Sequence, residues 1–170
     1  MRLETERLII TDFTPDMARD VCENSLDEDN RRFVPDEVFE TEEDAREAVV
    51  FLISQYGRPC APQVHPVITK AGGLNIGYVQ LAPVDGGAWE IGYHIAKKHT
   101  GRGYATEAVR AFLPVMAREV GAGEVWGICL SENTASKRVL IKCGFDPVSE
   151  GTGDYQGEKR EIFRSVRRMG

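Results

Sequence analysis

The chain lacks the features that assign many proteins to a class at first sight. It has no run of about 18 apolar residues, so the sequence predicts no membrane-spanning helix and no membrane partner. It contains no GxxxxGK[ST] loop for a nucleoside triphosphate and no HExxH pair for zinc. The first ten residues carry four charges, unlike a secretory signal. No repeat or low-complexity tract divides the sequence, and we expect a single domain over residues 1–170.

Cysteine and histidine are scarce. The sequence has 4 cysteines, none in a CxxC pair, and 3 histidines at positions that share no metal-ligand spacing. We therefore expect free thiols in a reducing, cytoplasmic setting and no metal site. Cys143 directly precedes a Gly-Phe pair, and we interpret it as a core residue rather than a nucleophile, because free cysteine is among the most buried residue types.

Charge is unevenly distributed along the chain. The net charge is −6, but residues 1–58 contain 16 acidic and 7 basic side chains, whereas residues 59–170 contain 11 acidic and 14 basic ones. The acidic half could be a solvated helix face, or it could attract a cationic substrate while the basic half holds an anionic cofactor. A net negative chain is a poor match for nucleic acid, so we predict no nucleic-acid partner.

Local patterns predict a mixed sheet in the order β-α-α-β-β-β-α-β-α-β-β, an α+β or α/β fold. The expected strands cover 6–12, 65–70, 74–81, 88–95, 124–130, 145–148 and 160–166, and the expected helices cover 15–24, 41–56, 104–120 and 133–143. A capping box is expected at Thr41–Asp44, and Pro114 predicts a kink in the third helix. Residues 25–40 and 149–159 show no regular pattern and are expected to be irregular.

The most informative segment is HTGRGYATEA at 99–108. It places Gly101 and Gly103 between a predicted strand and a predicted helix. Glycine permits positive φ and close approach of the backbone to a ligand, and a helix N-terminus presents unpaired N–H groups. Together they predict an anion site, most often for phosphate. Thr106 stands where a dinucleotide-binding GxGxxG loop has its third glycine, so that interpretation is disfavoured.

Three blocks that follow one another narrow this interpretation: WEIGYHI at 89–95, GRGYATEA at 101–108 and NTASKRVLIKCGF at 133–145. In this order they resemble the GNAT superfamily of acetyl-CoA-dependent N-acetyltransferases. The opening ETERLIIT at 4–11 is similar to the branch that contains ribosomal-protein N-terminal (alanine/serine) acetyltransferases. The resemblance implies a central, twisted, mostly antiparallel sheet splayed at the cofactor site, with about four flanking helices.

The resemblance also implies where acetyl-CoA binds. Backbone groups of the strand would pair with the pantetheine arm, N–H groups of the glycine turn would bind the pyrophosphate, and an asparagine would meet the arm. The corresponding residues here are Tyr93, His94, Ile95, Thr100, Gly101, Arg102, Gly103, Tyr104, Ala105, Thr106 and Asn133. Lys98 departs from the glutamine or arginine that relatives carry. Lys137, Arg138 and Lys142 either lie near the 3′-phosphate or form a solvated helix face.

Acetyl transfer to an amine requires removal of a proton, because an amine with a pKa near 10 is only about 0.1% neutral at pH 7. Glu90, on the strand of the pantetheine contacts, is the candidate base, or it fixes the acceptor ammonium. Leu140 occupies the position where many relatives carry a tyrosine that could act as the general acid. Ser136 is therefore the candidate acid, with Tyr93 and Tyr104 behind it.

Three function classes stay open at this point. The leading one is an N-acetyltransferase in which the amine of a protein N-terminus or a small molecule attacks the donor directly in a ternary complex. The second is a catalytically weak CoA-binding sensor or partner module, which Leu140 keeps open. The third is a phosphate-binding domain of unrelated fold. A homodimer is expected from base rates alone.

Overall fold

The computed structural model describes residues 1–170 and contains one eight-stranded sheet with five α-helices. The strands are β1 Arg2–Glu4, β2 Leu8–Thr11, β3 Gln63–Thr69, β4 Asn75–Pro83, β5 Trp89–Ile95, β6 Glu124–Leu130, β7 Asp146–Tyr155 and β8 Glu158–Arg168. The helices are α1 Ala18–Ser25, α2 Glu28–Phe33, α3 Glu42–Gln55, α4 Tyr104–Glu119 and α5 Thr134–Lys142. None of the helices is long and apolar enough to cross a membrane.

The sheet has the order β1-β2-β3-β4-β5-β6-β8-β7, and every neighbouring pair is antiparallel except β5 and β6. The predicted mixed and mostly antiparallel fold is thereby confirmed. Helix α4 makes the crossover between the two parallel strands, as a parallel pair requires. Its buried side chains, among them Phe112, Leu113 and Met116, pack on one face of the sheet and form the main core.

The opposite face of the sheet is covered by α1 and α3. A smaller cluster of Phe13, Val49 and Val64 is buried there. Helix α3 begins with the predicted capping box, in which the Thr41 hydroxyl accepts from the Asp44 N–H and the Asp44 carboxylate accepts from the Thr41 N–H. The cap fixes where α3 starts and therefore which of its residues face the sheet.

Two local predictions are wrong. Residues 149–159 were expected to be a loop, but they belong to the long β7–β8 hairpin, whose register runs from Asp146–Val166 to Tyr155–Glu158. Residues 25–40 contain α2, whose N-terminus is capped by the Asp27 carboxylate at 2.7 Å from the Asn30 N–H. Helix α4 runs from Tyr104 to Glu119 with Pro114 inside it.

Gly77 on β4 allows the close approach of β4 and β5. Its φ is +151°, and an added Cβ would lie 1.9 Å from the carbonyl oxygen of His94. We expect Gly77→Ala to lower the free energy of unfolding by about 2–4 kcal/mol, because the strands must separate to admit the methyl group. Urea unfolding followed by circular dichroism measures this. Gly123→Ala is the matched control, since its added Cβ meets nothing within 4 Å, and an equal loss in both variants would contradict the prediction.

Candidate active site

Strands β5 and β6 pair along only part of their length. The parallel register covers Trp89–Val125, Glu90–Trp126 and Ile91–Gly127 and then stops. Beyond this point β5 stays paired with β4 up to Ile95, and β6 stays paired with β8 up to Leu130. Each strand therefore keeps one neighbour and loses the other, and a gap opens in the middle of the sheet.

Backbone groups of β5 line one edge of this gap. The Ala96 N–H donates to the Ile76 carbonyl oxygen at 2.8 Å, towards β4. Because successive residues of a strand direct their backbone groups to opposite sides, His94 also faces β4, while Tyr93 and Ile95 face the gap. Of the three predicted backbone contacts, the structure thus brings Tyr93 and Ile95 to the gap and commits the His94 backbone to the sheet.

The glycine turn lies between β5 and α4, as expected. Gly101 and Gly103 have φ values of +75° and +79°, which other residues rarely adopt. Gly103 is the N-cap of α4, and the N–H groups of Tyr104, Ala105 and Thr106 form the first turn, where a helix leaves its donors unpaired. The Thr100 hydroxyl donates to the Lys97 carbonyl oxygen at 2.8 Å, which steadies the start of the turn.

Two residues that the sequence analysis missed hold this turn in place. The Arg7 guanidinium donates to the Arg102 carbonyl oxygen at 2.8 Å and lies 4.6 Å from the centre of the Tyr104 ring. The Glu107 carboxylate forms an ion pair with Arg7 at 2.6 Å and accepts from the Thr5 hydroxyl. The Arg102 side chain is left exposed beside the turn. Arg7 and Glu107 are distant in the sequence, so no local pattern pointed to this contact.

Glu90 is the last polar side chain of β5 before the gap. Alternation places it on the face covered by α1 and α3, together with Gly92 and His94, whereas Tyr93 points to the face of α4 and α5. Burial raises the pKa of Glu90 to about 7, and the Arg164 guanidinium only partly offsets this. A carboxyl group with this pKa is suited to accept a proton near neutral pH.

A hydroxyl pair lies on the other face of the gap. The Tyr93 hydroxyl donates to the Ser136 carbonyl oxygen at 3.0 Å and lies 2.9 Å from the Ser136 hydroxyl. A carbonyl oxygen only accepts, so the Tyr93 proton serves that bond and the Ser136 hydroxyl donates to the Tyr93 oxygen. Asn133 caps α5 by accepting from the Ser136 N–H at 3.1 Å, and Leu140 is buried.

Of the three cations of α5 that the sequence analysis named, only Lys137 has an ion-pair partner. Lys137 forms an ion pair with Glu150 on β7 and lies over the Phe163 ring, whereas Arg138 and Lys142 are exposed. Tyr104, the last candidate acid, lies at the start of α4 beneath Arg7. Cys143 is buried among core residues, as expected, and burial raises the pKa of its thiol. No group of three or more His, Cys, Asp or Glu side chains could hold a metal ion.

A cleft of about 330 Å³ surrounds the gap and contains Glu90, Tyr93, Asn133 and Ser136. Its lining includes four carboxylates and no lysine or arginine: Asp36, Glu37, Glu90 and Asp154. Burial raises the pKa of Glu37 to about 6, although a hydrogen bond from the Tyr78 hydroxyl opposes this shift. Asp154 is already paired with Lys159 at 2.8 Å, so Asp36, Glu37 and Glu90 are the carboxylates that make the cleft electrostatically suited to a cationic group.

The two segments whose structure was mispredicted form the far wall of this cleft. Phe33, Asp36 and Glu37 come from α2 and the turn after it, and Asp154 comes from the end of β7. The Tyr155 hydroxyl donates to the Phe33 carbonyl oxygen at 2.7 Å and links the hairpin to α2. Neither segment carried a motif, so this wall was missed.

Comparison with known proteins identifies the family. Residues 7–146 match the model of the acetyltransferase (GNAT) domain. The chain belongs to this family and is accordingly an acyltransferase, as the three sequence blocks predicted. The chain is 30% identical over 145 residues to an N-acetyltransferase of Bacillus subtilis (strain 168), YnaD, and the match covers 85% of this chain and 82% of YnaD.

Solved structures agree with this assignment. An acetyltransferase of the GNAT family from Bacillus anthracis is 27% identical in sequence and has a TM-score of 0.83. The match covers 99% of this chain and 98% of the B. anthracis chain. A ribosomal-protein-S5-alanine acetyltransferase from Vibrio fischeri has a TM-score of 0.84 at 16% identity, covering 99% and 96%. The second similarity shows the fold alone.

The raised pKa of Glu90 has a consequence for stability. The carboxyl of an unfolded chain titrates near pH 4.3, and that of folded Glu90 near 7, so stability falls as the pH rises across this interval. We expect Glu90→Gln to raise the melting temperature at pH 8 and to change it little at pH 4, where the native carboxyl is already neutral. Scanning calorimetry at both pH values measures this. The exposed Glu124→Gln is the control, and a stabilisation independent of pH would count against the buried charge.

Proposed function

We propose that the protein transfers an acetyl group from acetyl-CoA to a primary amine by direct attack within a ternary complex. The observation that carries the proposal is the gap between β5 and β6, which begins directly after Glu90 on β5. One face of the sheet at this gap carries the glycine turn and the Tyr93–Ser136 hydroxyl pair. The other face carries the carboxylates of the acidic cleft. The donor and the acceptor would thus meet from opposite faces of one sheet.

The residues present fit the donor. Tyr93 and Ile95 offer strand backbone groups that no neighbouring strand uses, and amides of a pantetheine arm could pair with them as an added strand would. The turn offers the N–H groups from Gly101 to Thr106 at the start of α4, which suit a pyrophosphate, whereas the predicted Thr100 N–H already donates to the Lys97 carbonyl oxygen at 3.2 Å. Lys98 does not weaken this fit, because the contacts of the turn come from the backbone.

Glu90 would act as the base. An acceptor ammonium attracted by the acidic cleft must lose a proton before its nitrogen attacks the thioester carbonyl. With a pKa of about 7, Glu90 is half ionised at neutral pH and can take this proton directly or through a water molecule. The new C–N bond forms as the C–S bond breaks, and the sulfur leaves with the electron pair of that bond.

The other charges that develop also have partners. N–H groups of β5 that face the gap can donate to the carbonyl oxygen as its negative charge grows. The departing sulfur can take the Ser136 proton when this hydroxyl turns from the Tyr93 oxygen towards the sulfur, and water then returns a proton to the serine. A thiol has a pKa of about 8.5, so the thiolate is a tolerable leaving group and this proton is helpful rather than essential.

The acceptor would be a protein N-terminus or a small amine. The carboxylates of the cleft support a cationic amine, and structural neighbours of the ribosomal-protein branch are named for alanine or serine N-termini. A second candidate is a CoA-binding module with little turnover, which the buried Leu140 favours. The position of Glu90 and the Tyr93–Ser136 pair favour the enzyme, since a sensor requires neither.

The direct test is consumption of acetyl-CoA against a panel of N-terminal peptides, polyamines and small amines, with release of the free thiol as the signal. On an accepted amine, we expect Glu90→Gln to lower kcat/KM by about 10²–10⁴-fold, the usual contribution of a general base. The wild type should lose activity as the pH falls through about 7, and the variant should lack this limb of the profile.

Glu124→Gln controls for the loss of one carboxylate on the neighbouring strand, and it should behave as the wild type. Calorimetric titration with CoA shows whether each variant still binds the donor. Unchanged turnover in Glu90→Gln would remove the base assignment. CoA binding without turnover on any amine would favour the sensor, and absence of CoA binding would refute both functions.

Removal of the Ser136 hydroxyl should have a smaller effect. We expect Ser136→Ala to lower kcat by less than about tenfold, because the thiolate can leave unprotonated and Tyr93 keeps its bond to the carbonyl oxygen of residue 136. Steady-state kinetics with a saturating donor measures this, and Ser54→Ala on the exposed side of α3 is the control. A loss as large as that of Glu90→Gln would show that the proton of Ser136 is essential.

A further inference from the structure

A second cavity adjoins the acidic cleft on the same face of the sheet. It measures about 200 Å³ and lies between α1, α3 and the strands β3 to β5. Its apolar walls include Phe13, Val21, Phe39, Phe51 and Leu52. The proposed chemistry does not use this cavity, and it is smaller and more apolar than the cleft beside it.

Three polar side chains of this cavity, those of Asn24, Ser25 and Asn30, are already engaged within the protein. The Asn24 side-chain amide donates to the Asn75 carbonyl oxygen at 2.8 Å, and the Asn30 amide donates to the carbonyl oxygens of Ser25 and Glu37. The Ser25 hydroxyl donates to the Cys22 carbonyl oxygen and accepts from the Phe39 N–H. A charged group that entered would find few free partners, so the cavity favours an apolar occupant.

The cavity adjoins the proposed reaction centre, and the hydrogen-bonded side chains of Tyr78 and Glu37 lie at the boundary between them. Glu37, Tyr78, Gln80 and His94 line both the cavity and the cleft. On the sheet Gln80 pairs with Gly92 and Tyr78 pairs with His94, so both pairs lie on the same face as Glu90. With two residues of a strand spanning about 7 Å, these rows lie about 7 and 13 Å from Glu90.

We propose that the acceptor is a primary amine that carries an apolar group set back from the nitrogen, and that this group occupies the cavity. The inference rests on the proposed function and narrows its substrate class. The ammonium binds in the acidic cleft beside Glu90, and the apolar group extends past Gln80 and Tyr78. A cavity of about 150 Å³ admits a benzene ring, so 200 Å³ accommodates an aryl or branched alkyl group.

This arrangement discriminates against polyamines and aminoglycosides. A second ammonium placed in the cavity would lose its hydration and gain no partner of opposite charge beyond Glu37 at the entrance. An alkyl or aryl group gains from the same transfer, at about fourfold in binding for each buried methylene. The acidic cleft recognises only the ammonium of the acceptor. The cavity therefore selects for an apolar group at the other end of the molecule.

The test compares kcat/KM for phenylalkylamines with linkers of one to six carbons, for hexylamine and for 1,6-diaminohexane. We expect an optimum at a middle linker length and at least a tenfold preference for hexylamine over the diamine. Peptides with N-terminal Ala-Ala-Phe and Ala-Ala-Ser form the second arm. Turnover of the Phe peptide without turnover of the arylamines would identify a protein N-terminus as the source of the same chemistry.

Two variants locate the effect in the cavity. Ala48→Phe on α3 fills the cavity and should lower the ratio of arylamine to ethylamine kcat/KM at least tenfold. Phe51→Ala widens it, and should move the optimum to larger apolar groups; its side chain is 57% exposed, so the fold tolerates the change. Val50→Phe is the matched control, because Val50 is exposed on the same helix outside the cavity and should leave the ratio unchanged.

Preference for the diamine, or a ratio that neither variant changes, would overturn the inference. If amines are acetylated without any apolar preference, the proposed function stands and only the inference fails. If CoA binds and no amine is acetylated, the proposed function fails instead.

Discussion

The separation of two parallel strands is the constraint on which the rest of this protein depends. Backbone N–H and C=O groups in a protein interior need partners, and β5 and β6 stop supplying them to each other after Ile91 and Gly127. Both strands stay ordered because β4 and β8 hold their outer edges. The gap is therefore a fixed opening with unsatisfied backbone groups, ready to be completed by a ligand that resembles a strand.

The same opening separates two chemical environments. Strand alternation directs Tyr93 towards α5 and Glu90 towards the acidic cleft, so hydroxyl groups and carboxylates lie on opposite faces of one sheet. Burial raises the pKa of the Glu90 carboxyl to about 7, and the Arg164 guanidinium opposes this shift. On the proposed function, Glu90 accepts the proton and the other carboxylates of the cleft attract the cationic amine.

Much of the sheet and most helices follow from local pattern, because each alternating or helical segment buries its own apolar side. Strand β6 was predicted at its observed bounds, and α4 ended within one residue of the prediction. Strand β7 escaped prediction for a physical reason. Its residues are almost all exposed and include two glycines, so pairing with β8 rather than burial makes it a strand. Helix α2 is short and polar, and it depends on its Asp27 cap.

The donor side of the site could be predicted from the sequence for a related reason. The glycine turn and the helix start that follows it are adjacent in the sequence. The ligand-binding character of the ten residues from Gly101 to Arg110 therefore follows from their local conformation. Glu90 was also identified from its place on the strand, although its raised pKa could not be. That pKa comes from burial by segments distant in the sequence.

The sequence by itself therefore determined the family and the fold class, and it predicted the residues that would hold a phosphate-bearing donor, since these depend on contiguous residues and local hydrogen bonds. Only the tertiary structure formed the side of the site that we propose for the acceptor. Its carboxylates come from the turn after α2, from β5 and from β7, and its apolar cavity needs α1, α3 and the sheet together. Folding brings these segments into contact, and no short stretch of the chain contains the information.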